Sequence, residues 1–237
     1  MRRLVGLLVA AVAVLGVTYV VSDQATDDAT RGDEVEPTTT GATPPSSTTS
    51  TVAATPTTTI DTRALPPTDR FSVAAGTSPV AGSGPLHTYS VEVEEGIPIE
   101  PGVFAEAVDA ILADPRGWTA GGRVSLRRVG PDGSPGFRVR LATPATVDAH
   151  CLPLQTVGEL SCRQGADVMI NLTRWLEGAA PSELPLEEYR QYLISHEVGH
   201  ALGHHHQACP APGAVAPVML QQTKGLQGCA PNPWPFP

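Results

Sequence analysis

Three histidines constrain this chain more than any other residues. His196, His200 and His206 stand in the run His196-Glu197-Val198-Gly199-His200-Ala201-Leu202-Gly203-His204-His205-His206. Residues four apart on a helix share a face, so His196 and His200 can aim two imidazoles at one point with Glu197 beside them. The run therefore has to be helical through His200. Gly203 sets the course of the chain beyond that helix, because glycine takes the left-handed backbone that ends helices and lets the chain turn back. Three imidazoles plus one water make an open, catalytic type of zinc site, with one Zn2+ per chain, rather than a closed structural one.

The third ligand can be narrowed by elimination. No Asp or Glu occurs after Glu197, so a carboxylate from further along cannot complete the set. Cys209 and Cys229, if oxidised, are poor ligands. Two histidines remain. An uninterrupted helix would add His204 to the stripe of His196 and His200, whereas a helix stopped at Gly203 brings in His206; the glycine favours His206. Thirteen residues after His206 comes Ala216-Pro217-Val218-Met219-Leu220.

Together these segments resemble the metzincin clan of zinc metallopeptidases, which share H-E-x-x-H-x-x-G-x-x-H and, further on, a turn carrying methionine beneath the metal. The resemblance implies His196, His200 and His206 as ligands, Glu197 as general base and Met219 as the turn methionine. It also implies a mixed sheet, an active-site helix and a short irregular C-terminal lobe. More narrowly, residues from about Leu86 to Trp234 are similar to an actinobacterial family of membrane-anchored or secreted metzincin-like domains. Trp118-Thr119-Ala120-Gly121-Gly122-Arg123-Val124 and Thr223-Lys224-Gly225 carry that likeness. One departure stands out: where several metzincins place a tyrosine two residues after the methionine, this chain has Gln221.

The first third of the chain has another character. Arg2-Arg3 precedes an apolar stretch from Leu4 to Val21, which reads as an uncleaved membrane anchor or as a secretory signal (residues 1–21). Either places the remainder outside the cytoplasm, anchored or secreted. Residues 22–70 are dominated by Thr, Ser, Pro, Ala and acidic side chains and cannot bury enough apolar surface to offset the entropy of ordering, so they read as a disordered linker. An acidic mask for the metal site, such as Asp61 or Asp69, is conceivable there, but a solvated linker explains them better. Residues 71–237 suffice for one compact domain.

From Leu86 onward 16 acidic residues outnumber 10 basic ones, which argues against nucleic acid as a partner. The cysteines are even in number (Cys151, Cys162, Cys209 and Cys229), as expected of disulfides in an exported domain. Of the three pairings, proximity favours Cys151–Cys162 and Cys209–Cys229.

Apolar alternation predicts strands at 87–93, 123–129, 137–141 and 167–172, and helical spacing predicts helices at 101–113 and 185–202. That order is an α+β domain. Arg127, Arg128, Arg138 and Arg140 are read as a solvated outer face, with an anionic wall polymer as the alternative. Residues 168–172 are read either as a core strand or as an edge strand along which a peptide could pair. Trp118 and Trp175 are assigned to packing, and Trp234 to anchoring the proline-rich tail. The functional expectation is a monomeric, extracytoplasmic zinc peptidase acting on peptide, protein or cell-wall peptide. Two alternatives stand beside it: a non-catalytic, zinc-stabilised envelope-binding module, and a cell-wall peptide or amide hydrolase.

Overall fold

Tyr89, Val91 and Val93 alternate toward one face, and the strand that carries them organises the sheet. The computed structural model describes residues 60–237. The expected anchor at 1–21, and the expected linker up to residue 59, lie outside the described residues. In chain order the elements are β1 (Phe71–Val73), β2 (Ala81–Gly82), β3 (Leu86–Glu94), α1 (Pro101–Ala113), β4 (Ser125–Arg128), β5 (Phe137–Ala142), α2 (Pro144–His150), β6 (Cys162–Gln164), β7 (Asp167–Asn171), α3 (Leu172–Glu177) and α4 (Leu186–Ala201). The domain is mixed α/β, with a mixed seven-stranded sheet ordered β2-β4-β3-β5-β7-β6 and β1 paired to β3.

Strands β4 and β5 are neighbours in sequence but do not pair. β4 runs parallel to the first half of β3, from Leu86↔Ser125 to Tyr89↔Arg128, and β5 runs parallel to the second half on its other side, from Tyr89↔Phe137 to Val93↔Leu141. The loop between them crosses β3 at Tyr89 without reversing direction, and the Gly136 N–H bonds the Thr88 carbonyl at 2.8 Å as it crosses. β1 fills, antiparallel, the side of β3 that β4 leaves free.

Helices α1 and α4 cover one face, where Val91, Val139 and Ile170 meet Phe104, Val108 and Leu193 in the main core. α2 covers part of the other face over Val147 and Met169. The rest of that face is polar: Arg140 reaches Glu92 at 2.8 Å and Asp167 at 3.2 Å, and Arg138 also pairs with Asp167. This corrects the reading of the four arginines as one solvated face. Only Arg127 among them is exposed. Arg128 points into the opposite layer at 9% exposure, bound to Asp109 and to the carbonyls of Ala75 and Gly76. A guanidinium in so little water needs such partners, and with its donors committed inward it offers no anion-binding surface.

The structure decides between the two readings of residues 168–172 in favour of the core strand, and it moves the start of packing. Strand β7 is interior, lying between β5 and an antiparallel β6, so the edge strand is Cys162–Gln164. Packing also begins before residue 71. The Thr62 hydroxyl is buried against that of Thr173, and Glu94 accepts the backbone N–H groups of Thr68 (2.7 Å) and Asp69 (3.1 Å). Asp69 bonds His150, and Asp61 accepts the Arg63 N–H; neither lines the cleft at the histidines.

Both proximity disulfides form, with Cα–Cα distances of 6.1 Å for Cys151–Cys162 and 5.7 Å for Cys209–Cys229. Trp234 is buried under the Arg116 guanidinium, 4.4 Å from its ring centre, and the Phe236 N–H bonds the Arg116 carbonyl. No described helix is long and apolar enough to cross a membrane.

Candidate metal centre

Helix α4 is buried on nearly every side from Tyr192 to Gly199, so it carries no single apolar stripe. Its first turn is solvated and holds Glu187 and Glu188, where carboxylates suit the positive end of the helix. It ends as the glycine requires. Gly203 takes φ +92°, its N–H bonds the His200 carbonyl at 3.1 Å, and the His204 N–H bonds the Gly199 carbonyl at 2.9 Å. This paired closure satisfies the last carbonyls and turns the chain off the helix axis. His204 is thereby carried out of the stripe. It stacks on Trp118, with ring centres 4.2 Å apart.

The turn brings His206 back to His196 and His200, and one nitrogen of each ring lies within 4.8 Å of those of the other two. The outer nitrogens fix the tautomers, since a carbonyl can only accept. His196 Nδ1 donates to the Val218 carbonyl at 2.8 Å, and His200 Nδ1 donates to the His204 carbonyl at 2.8 Å. Their Nε2 atoms then present lone pairs inward. His200 Nε2 stands 3.1 Å from His206 Nε2. Two nitrogens on one tetrahedral zinc, each at about 2.0–2.1 Å, are separated by about 3.3 Å. The donor set fits a metal ion of that kind, and His206 rather than His204 completes it.

The floor is the turn Pro217–Leu220, closed by the Leu220 N–H on the Pro217 carbonyl at 2.9 Å. It holds both halves of the site: Val218 takes the His196 bond, and the Met219 carbonyl accepts the Gln207 N–H beside His206 at 3.0 Å. Met219 itself is 2% exposed. A Cβ built on Gly199 would lie 2.6 Å from Met219 Sδ and 2.7 Å from Trp118 Cζ2, so α4 passes between the two at the helix's only glycine. Trp118 Nε1 donates to the Ser195 carbonyl at 2.7 Å, which fixes the indole there.

Electrostatics keep the imidazoles in their ligand form. Burial pushes His196 down to about 3, opposed in part by its bond to Val218. Burial also lowers His200 and His206. Burial pushes the Glu197 carboxyl up to about 8; it is 6% exposed at the cleft floor. A nearby cation reverses that push, so the carboxylate form and a bound metal favour each other.

The profile of a family described as "Protein of unknown function (DUF3152)" matches residues 63–230, which contain the three histidines, Glu197, Met219 and both disulfides. The chain belongs to this family. No curated protein and no solved structure matches it.

Several residues of the site were not expected from the sequence. The cleft, about 400 Å³, is bounded by Leu160–Arg163 on the edge strand side and by Gln221, Thr223 and Lys224 beyond the Met219 turn. Tyr192 Oη is held by the Leu220 carbonyl (3.1 Å) and the Gln222 N–H (2.9 Å), and its ring packs 5.3 Å from that of His196. Helical spacing could have signalled Tyr192, one turn before His196. Nothing local to Trp118 or Arg163 signals either residue.

Proposed function

We propose that this protein is an extracytoplasmic, zinc-dependent peptidase of the metzincin type, with Glu197 as general base. The observation that carries the reading is the convergence of His196, His200 and His206 beside the buried carboxyl of Glu197 at the floor of an open cleft. A purely structural metal site has no need of that carboxyl. His196, His200 and His206 would hold the metal, which when bound supplies Lewis acidity toward the scissile carbonyl and the attacking water. Glu197 accepts the proton of that water during attack and returns it to the leaving amine. Tyr192 does not act as an electrophile, since its hydroxyl is committed to Leu220 and Gln222. Gln221 stands in the cleft wall without an acidic proton to offer.

Edge strand β6 borders the cleft and can pair with an extended peptide by adding a strand. Both disulfides support an oxidising compartment. The test is cleavage of a diverse peptide library by the zinc-loaded full-length chain beside Glu197→Ala. The expected result is turnover by the wild type and its near-total loss in the variant with zinc retained. Equal turnover in both, or none in either with one zinc bound per chain, refutes the catalytic reading. The second of these outcomes favours an envelope-binding role.

A further inference from the structure

The cleft and the chain disagree in charge. The chain carries 24 acidic residues and a net charge of −9, yet Glu197, at the buried floor, is the only carboxylate among the described residues lining the cleft. Two cations stand at its rim. Arg163 lies on the edge strand, and Lys224, the only lysine in the sequence, lies beyond the Met219 turn. Both are exposed, and neither makes an ion pair among the described residues, whereas seven arginines elsewhere are held by carboxylates.

Their backbones are fixed rather than loose. Arg163 adjoins Cys162, which is cross-linked to Cys151. Lys224 closes a turn begun by buried Gln222, whose side chain bonds both the N–H and the carbonyl of Asn232. Both cations line the same cleft as His200 and His206. Unpaired, positioned cations on the walls of an open cleft are complementary to an anion, and Arg presents a fork matched to a carboxylate.

Resting on the peptidase reading of this same site, we propose that the cleft selects acidic peptides, with Arg163 and Lys224 binding carboxylates adjacent to the scissile bond from two walls. The carboxylate can belong to an Asp or Glu side chain or to a free peptide C-terminus; the chemistry is shared.

The test uses fluorescent peptides of one core sequence in neutral, acidic and basic versions, each with a free or an amidated C-terminus. Binding to zinc-loaded, full-length Glu197→Ala is read by anisotropy at low and high salt, and cleavage by wild type is read in parallel. Acidic peptides should bind about 10-fold more tightly than neutral ones at low salt, with Arg163→Gln and Lys224→Gln each removing about 3-fold and high salt removing the preference. Loss of the preference on amidation assigns it to the C-terminal carboxylate; its retention assigns it to side chains. A preference that is absent, or that survives intact in the double variant, overturns the proposal, the second case meaning that the metal itself holds the carboxylate. Charge-blind cleavage by wild type sinks this proposal while the peptidase reading stands. Selective binding with no cleavage of any peptide sinks the peptidase reading, and leaves the assignment of Arg163 and Lys224 to carboxylate binding without a scissile bond beside it.

Discussion

Replacing Gly199 with alanine sets two effects against each other at the centre of the site. Helix propensity alone favours alanine by up to about 1 kcal/mol in a helix interior. Sterics oppose it. The added Cβ would sit 2.6 Å from Met219 Sδ and 2.7 Å from Trp118 Cζ2, about 1 Å inside normal contact on both sides. Neither neighbour has an easy retreat: Met219 is 2% exposed, and the indole is tied to the Ser195 carbonyl. Overpacking costs roughly 1–3 kcal/mol, and clashes on both sides put this site at about 2–3 kcal/mol, so after the gain in propensity the net change is a loss of about 1–2 kcal/mol. For a domain of this size that is a fall in Tm of about 3–6 °C. The displacement also reaches the candidate metal site, because Met219 adjoins Val218, whose carbonyl orients His196. Disturbing such an outer partner typically lowers metal affinity 10- to 100-fold. Thermal unfolding of the metal-free full-length chain, with zinc affinity measured by chelator competition, reads both effects. A Tm that rises, as propensity alone predicts, or an unchanged zinc affinity, would refute the clamping of α4 between Trp118 and Met219.

The same geometry sets expectations for other residues. His206→Ala should abolish stoichiometric zinc binding in equilibrium dialysis, while His204→Ala keeps one zinc per chain; the reverse result would mean that the helix does not stop at Gly203. Glu94 is pushed up by burial, but hydrogen bonds from the Thr146 hydroxyl and from the N–H groups of Thr143, Thr68 and Asp69 outweigh this and hold its carboxyl below the ordinary value. A carboxyl depressed in the folded state adds stability above its unfolded pKa and loses it as pH falls through the folded value. Glu94→Gln, which sets an amide donor against donors, should therefore cost about 2–4 kcal/mol in denaturant titration at pH 7, and less in acid; a pH-independent difference would count against this role. Tyr192→Phe removes the hydroxyl that bridges the Leu220 carbonyl and the Gln222 N–H, which keep only their mutual bond at 2.8 Å, so stability should fall by about 1 kcal/mol with zinc stoichiometry unchanged. Loss of zinc in that variant would assign Tyr192 a role at the metal.

What could be read in the sequence was whatever had a local cause. Helix α1 announced itself by Pro101 at its start, apolar residues at helical spacing and Asp114-Pro115 at its end. The histidines were legible because helix geometry and one glycine prescribe how they meet. The edge strand Cys162–Gln164 was not, since it has three residues, two of them exposed, and exists only by pairing with β7. The arginines misled for a related reason. Alternation with apolar residues marks a face, but whether that face is wet depends on Asp109, Glu92 and Asp167, which lie 19 to 48 residues away in sequence. Trp118 reaches the site across 77 residues, a distance over which no pattern operates.

The two disulfides also bear on which metal the histidines could hold. Cys209 lies three residues beyond His206, and as a thiolate it would be a softer ligand than an imidazole. With all four cysteines paired and no free thiol present, the pocket presents only nitrogen donors and one carboxylate. Thiophilic ions such as Cu(I) lose their preferred partner, and the set that remains suits ions that take imidazole, zinc among them. Pairing Cys209 with Cys229 thus removes a competing donor from the neighbourhood of the histidines as well as bracing the fold.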